Sequence, residues 1–146
     1  MGNLQPRSKI VWSLAATNVG TTLTAAGNSG NWESNTSGAG DWPPVVSGRT
    51  PVDLREITDV TLMVSVGGIT STPSLVVNLD IYDDQGNPYT AVLSTTALTA
   101  VGTKTVSGGL HGGSAGTYLV LPDWGRVSWT LTGGTVTGTE IVLYGR

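Results

Sequence analysis

The first candidate for acid–base chemistry is His111, the only histidine in the 146-residue chain. It lies in a glycine-rich stretch, Gly108-Gly109-Leu110-His111-Gly112-Gly113. An imidazole can act as a general base, but catalysis also requires a nucleophile or a carboxylate held beside it. One sequence does not supply that partner, so we interpret His111 as a solvated loop residue.

A second candidate is a group of oxygen ligands, Asp80, Asp83, Asp84 and Asn87. Calcium prefers such ligands, but their spacing departs from the EF-hand pattern. Aspartate and asparagine are also the usual residues of turns. We therefore favour a turn over residues 83–88, keep calcium as the alternative, and predict no cofactor.

Paired carboxylates for glycoside hydrolysis would have to come from Glu33, Asp41 and Asp53, which lie in or near one flexible segment. No pattern indicates that they converge. The chain also lacks the sequence signatures of serine hydrolases, zinc proteases and phosphate-binding loops. We predict that the protein is not an enzyme.

Two of the five tryptophans, Trp32 and Trp42, lie in a long loop over residues 27–51 that is rich in Gly, Ser and Asn. Loops of this length are usually functional or disordered. The two rings either cover the ends of the fold or bind a partner, since tryptophan is enriched at interfaces. A carbohydrate-binding module that stacks sugars on Trp32 and Trp42 is a further alternative.

Composition limits the partners. Ten acidic and seven basic residues give a net charge of -3, and no basic run is available for nucleic acid. There is no cysteine and therefore no disulfide framework. No stretch approaches the roughly 20 apolar residues of a membrane span, and the first residues do not resemble a signal peptide. We predict a soluble protein that is not exported by a Sec-type signal and has no nucleic-acid or membrane partner.

Period-two alternation predicts the main strands. It is clearest over residues 57–67 and 74–83, followed after the turn by a strand over 89–95 and another over 102–107. At the end of the chain, Val127, Trp129 and Leu131 alternate with polar residues, which predicts that all three are buried. Gly133-Gly134 then predicts a two-residue hairpin turn.

Short strands separated by turn residues predict an all-β fold, specifically a two-sheet antiparallel β-sandwich of jelly-roll type. Residues 10–146 form its single domain, and residues 1–9 form an extended N-terminal arm. We expect partner binding to use the arm and the tryptophan loop, through Leu4, Gln5, Pro6, Arg7, Lys9, Trp32 and Trp42.

Three segments carry a family resemblance. They are Leu79-Asp80-Ile81-Tyr82-Asp83-Asp84-Gln85-Gly86-Asn87, then Gly102-Thr103-Lys104-Thr105-Val106, then Gly125-Arg126-Val127-Ser128-Trp129-Thr130-Leu131-Thr132-Gly133-Gly134. In this order they resemble small β-sandwich virion proteins of tailed bacteriophages. The resemblance covers roughly residues 60–144.

The resemblance implies a virion structural protein assembled in the host cytoplasm. The expected role is a capsid decoration protein bound to the major capsid protein, with a minor tail protein bound to tail subunits as the alternative. It also implies self-association into a homo-oligomer such as a trimer. The arm would then lie across a neighbouring subunit and gain main-chain hydrogen bonds by strand addition.

Overall fold

The computed structural model describes residues 8–14, 21–29, 51–113 and 118–146. Within these ranges the secondary structure is entirely β, and no helix is long and apolar enough to cross a membrane. The strands are β1 (Lys9–Leu14), β2 (Thr21–Leu23), β3 (Gly27–Asn28), β4 (Val52–Asp53), β5 (Asp59–Val66), β6 (Gly68–Tyr82), β7 (Pro88–Ser94), β8 (Gly102–Gly109) and β9 (Trp124–Gly145).

The fold is built around β9, which is 22 residues long. β5 and β6 follow one another with only Gly67 between them, and both pair antiparallel with β9. β8 pairs with the outer side of β5, and β7 with the outer side of β6. β1 and the short strands β2, β3 and β4 pair with the opposite side of β9.

The described strands therefore form one antiparallel, nearly closed barrel-like sheet. The prediction of an all-β antiparallel fold is confirmed, but the prediction of a two-sheet jelly-roll sandwich is wrong. The reason is that the β5-β6 segment and β9 continue together through the bend at Gly67, where Gly67 and Gly138 lie against each other. Gly138 has a positive φ of 56° there. The sheet's two ends approach where the Leu93 side chain of β7 packs on Gly108 of β8.

The predicted hairpin turn at Gly133-Gly134 is also wrong. β9 runs straight through this pair, and its register with β6 shifts between Ser71↔Gly134 and Ser74↔Thr132. Gly133 has a φ of 77°, and a Cβ there would collide with the Thr72 carbonyl oxygen. The two glycines thus allow a β-bulge and a close approach of two backbone segments. Both depend on the absence of a Cβ, which is also what a hairpin turn would have required.

The predicted alternation places the core correctly for most positions. The buried inward side chains come from β5, β6 and β9 and include Val60, Leu62, Val64, Val66, Leu75, Val77, Leu79, Val127, Trp129 and Leu131. Trp129 is 9% exposed, and its indole Nε1 donates to the Ala25 carbonyl oxygen at 3.2 Å. Trp129 therefore joins the segment before β3 to the central strand.

The alternation fails at the end of β6. Strict alternation over residues 74–83 would bury Ile81 and expose its neighbours, yet Asp80 is 1% and Tyr82 3% exposed, whereas Ile81 is half-buried. The register between β6 and β7 shifts between Leu79 and Ile81, so this segment does not keep the period of two. The predicted turn that follows is confirmed by hydrogen bonds from the backbone N–H groups of Gln85 and Asn87 to the Asp83 carboxylate.

Candidate functional site

The residues predicted to bind a partner fall mostly outside the described ranges. This applies to Leu4, Gln5, Pro6, Arg7, Trp32 and Trp42, and also to the carboxylates of Glu33 and Asp41. Lys9 is described: it is exposed, opens β1 and pairs with Gly145. Strand pairing thus begins at the residue that was predicted to end the arm.

The calcium candidates have other partners. The buried Asp80 carboxylate accepts hydrogen bonds from Arg126 Nε at 2.7 Å and from the Ala91 backbone N–H at 2.8 Å. Asp83 serves the turn, where hydrogen bonds from the side chain and backbone of Asn87 lower the pKa of its carboxyl group. Asp84 is exposed at the same turn as Asn87. Across the described part of the chain, no three His, Cys, Asp or Glu side chains are placed to share a metal.

Asp53 is held by a neighbouring cation. Arg55 donates to it through Nε at 3.0 Å and Nη2 at 2.8 Å, and this pairing lowers the pKa of the Asp53 carboxyl group. The same guanidinium lies 5.0 Å from the centre of the Trp124 ring. Both side chains of the ion pair are about half exposed, so the pair is a surface feature beside β4.

A polar site is formed at one end of the sheet, where β5 begins and β8 ends. Asp59, the first residue of β5, pairs with Gly109, the last residue of β8, and the turn after Gly109 contains His111. A Cβ on Gly109 would collide with the Thr58 carbonyl oxygen and with Asp59. Only glycine permits this close approach, which brings the imidazole to the carboxylate.

His111 contacts both carboxylate oxygens of Asp59. Its backbone N–H donates to Oδ1 at 3.0 Å, and its ring Nδ1 lies 2.7 Å from Oδ2. The Thr58 hydroxyl also donates to Oδ2, at 2.9 Å, and Arg146 Nε lies 3.8 Å from it. An ionised carboxylate can only accept hydrogen bonds, so Nδ1 carries a proton and Nε2 remains for another partner.

The electrostatics keep Asp59 ionised. Burial raises the pKa of its carboxyl group, but the hydrogen bonds from the His111 backbone, the His111 ring and the Thr58 hydroxyl together lower it below the ordinary value. The Asp59 side chain is 10% exposed, whereas the His111 side chain is 67% exposed. A buried anion therefore fixes the orientation of an imidazole that faces solvent.

The Asp59–His111 pair borders an open pocket of about 400 Å³. The polar side chains lining it include Ser8, Thr61, Ser107, His111, Tyr144 and Arg146. Such a lining can hydrogen bond an anionic or strongly polar ligand. A carboxylate–histidine pair also occurs in hydrolases, but acyl transfer additionally requires a nucleophile held against Nε2, so the pair alone does not define catalysis.

Three exposed apolar side chains lie in the His111 turn or in the segment that follows it. Leu110, Tyr118 and Val120 are 54%, 79% and 76% exposed, and we call them the apolar rim. Tyr118 forms a parallel bridge with Gly109, and Leu119 N–H donates to the Gly109 carbonyl oxygen at 3.0 Å. The rim therefore flanks the turn that holds His111.

The prediction of a solvent-exposed loop position for His111 is confirmed, but its partners were missed. Asp59 and Arg146 lie 52 and 35 residues away in sequence. The pairing of β5 with β8 and with β9 brings all three together. The one local signal in the sequence is the pair Gly108-Gly109, because Gly109 permits the close approach to Thr58 and Asp59.

No protein-family model matches the chain, and no curated protein is similar to it.

Proposed function

We propose that this chain is a structural protein of a bacteriophage virion, and that it decorates the capsid by binding the major capsid protein. The observation that carries the proposal is the apolar rim of Leu110, Tyr118 and Val120 beside a polar pocket. Exposed apolar groups bordered by polar ones are typical of protein-binding surfaces. The family resemblance supports the same class of function. Its segments lie on β6, the turn after β6, β8 and β9, which form the scaffold rather than the rim.

The arm gives the proposal a second contact. β1 pairs with β9 alone among the described strands, and its Ile10 is 61% exposed. A chain leaving the sheet from an edge strand can add to a strand of a neighbour, where backbone hydrogen bonds contribute affinity. Assembly would take place in the host cytoplasm, and repeated copies would multiply weak contacts into avidity. The same contacts would serve a minor tail protein.

The described tryptophans are too buried to form a sugar platform. Trp124 is 4% and Trp129 9% exposed, and Trp12 is partly buried against the core. A sugar platform needs exposed ring faces, so among the tryptophans it would depend on Trp32 and Trp42. Retention of the purified protein on a polysaccharide column, lost on replacing these two residues by alanine, would support the carbohydrate-binding alternative instead.

The test is an add-back experiment with particles that lack the protein. The purified wild-type chain is expected to bind such particles at a fixed stoichiometry, measured by sedimentation and quantitative mass spectrometry. Replacing Leu110, Tyr118 and Val120 by serine should abolish binding. The matched control is Tyr89→Ser, which removes another exposed apolar side chain (56% exposed) from β7, away from the rim.

Three results separate the possibilities. Head particles that bind the wild type and the Tyr89→Ser variant, but not the triple variant, support the capsid role. Binding to tails instead of heads supports the minor tail protein. Failure of the wild type to bind either particle, with no trace of the protein in complete virions, would reject the virion proposal.

A further inference from the structure

The pocket bordered by Asp59 and His111 has cationic groups arranged around a buried anion. Each Asp59 oxygen already accepts hydrogen bonds from the chain itself, Oδ1 from the His111 backbone and Oδ2 from the His111 ring and Thr58. Besides Asp59, the polar side chains that line the pocket, among the described residues, are those of His111, Arg146 and several residues with hydroxyl groups. Except for the His111 ring nitrogen, whose role depends on protonation, these groups can all donate hydrogen bonds.

The donor groups set the kind of ligand. Protonated His111 offers its Nε2–H and Arg146 offers guanidinium N–H groups, whereas Asp59 already accepts hydrogen bonds from the chain itself. An anion can therefore accept from both cations. Arginine pairs well with a carboxylate because its planar donors match the two oxygens.

We propose that this pocket is a carboxylate-binding site, in which Arg146 and the Nε2–H of protonated His111 bind the ligand and Asp59 positions His111. The ligand is a small organic acid or an aspartate or glutamate side chain of a protein, since both present the same group. The inference does not depend on the virion proposal, because binding can be measured on the isolated protein.

Protonation is part of the mechanism. In neutral His111, Nε2 is an acceptor and repels a carboxylate; in the imidazolium it is a donor. Among the described residues, the titratable side chains that line the pocket besides His111 are Asp59 on β5, Tyr144 on β9 and Arg146 after it, whereas β8 contributes Ser107 and Gly108. Because a fall in pH favours the imidazolium, binding should strengthen as the pH is lowered.

The single histidine makes the experiment direct. The ring nitrogens of His111 can be observed by NMR without ambiguity, and Nδ1 is expected to be protonated in the free protein. Titration with acetate in the millimolar range should shift the Nε2 signal, more strongly at about pH 6 than at about pH 8. A glutamate-containing peptide and its glutamine counterpart distinguish the two sources: binding of the glutamate peptide far above acetate indicates a protein side chain, and equal binding indicates a small acid.

Variants locate the site. Arg146→Gln should weaken acetate binding about 10-fold, since a hydrogen bond to a charged group is of that strength. Lys104→Gln removes a positive charge from the exposed part of β8 and should leave binding unchanged. Asp59→Asn should alter the protonation of Nδ1, whereas Arg146→Gln should not.

Several outcomes would overturn the proposal. These are an Nε2 signal that responds to acetate no more than to sodium chloride, equal weakening by Lys104→Gln and Arg146→Gln, or tighter binding of phosphate than of acetate. A shift that is independent of pH would reject the role of the imidazolium. None of these results depends on particle binding, so this inference and the virion proposal can fail separately.

Discussion

Among single residues, two Asp–Arg ion pairs differ in burial and therefore in their expected effect on stability. Asp80 and Arg126 form a cross-strand pair between β6 and β9, with side chains that are 2% and 18% exposed. Asp53 and Arg55 form a local pair with side chains 49% and 54% exposed. Removing one partner of a buried pair leaves an uncompensated charge, whereas water replaces the partner at the surface.

Asp80→Asn is therefore expected to lower the free energy of unfolding by about 3 kcal/mol. Urea denaturation followed by tryptophan fluorescence measures the loss. Asp53→Asn, which removes the same group from the exposed pair, should cost less than about 1 kcal/mol. Similar losses for the two variants would contradict the expectation that the buried ion pair contributes more to stability than the exposed one.

The Asp59 carboxyl group contributes a pH dependence. Its pKa in the folded chain lies below the ordinary 3.8, so the folded state favours the ionised form. The associated stability is fully present above 3.8 and is lost as the pH falls through the lower folded value. The difference in unfolding free energy between the wild type and Asp59→Asn should therefore be largest near neutral pH and should shrink below about pH 4. A difference that is the same at both pH values would contradict this assignment.

At the scale of elements, the irregular segment shared by β6 and β7 carries backbone strain. Ala91 has a φ of 54°, and its N–H donates to the Asp80 carboxylate. The left-handed conformation costs a non-glycine residue about 1 to 2 kcal/mol. The buried carboxylate therefore holds β7 in a conformation that alanine disfavours.

Ala91→Gly should raise the free energy of unfolding, by up to about 1 kcal/mol, because relief of strain exceeds the added flexibility of the unfolded chain. Ala97→Gly is the matched control: Ala97 is exposed and is not among the positive-φ residues, so glycine there should be neutral or destabilising. Thermal unfolding compares the two. Destabilisation by Ala91→Gly would argue against the positive φ.

At the scale of the whole molecule, β9 belongs to both halves of the sheet. Its first half pairs with β6 and its second half with β5, and the two halves meet without a break beside Gly138. Val127 in the first half and Leu143 in the second are both fully buried. A strand shared in this way should make the described sheet one cooperative unit.

Native-state hydrogen exchange tests this cooperativity. The backbone amides of Val127 and Leu143 should exchange with the same free energy of opening, equal to that of global unfolding. Two sheets that were stable independently would instead give two distinct values, and that result would favour the sandwich over the continuous sheet.

The β class, the main strands and most of the core could be predicted from the sequence, because burial on one face imposes a period of two that each strand carries locally. Val127, Trp129 and Leu131 show this directly. The bulge at Gly133-Gly134 could not be predicted, since a glycine pair is compatible with either a hairpin turn or a continuous strand. The contact of His111 with Asp59, and the position of Arg146 near Asp59, could not be predicted either, because they depend on the pairing of β5 with β8 and β9. Local patterns record which residues face inward, but the register between distant strands is a property of the folded chain.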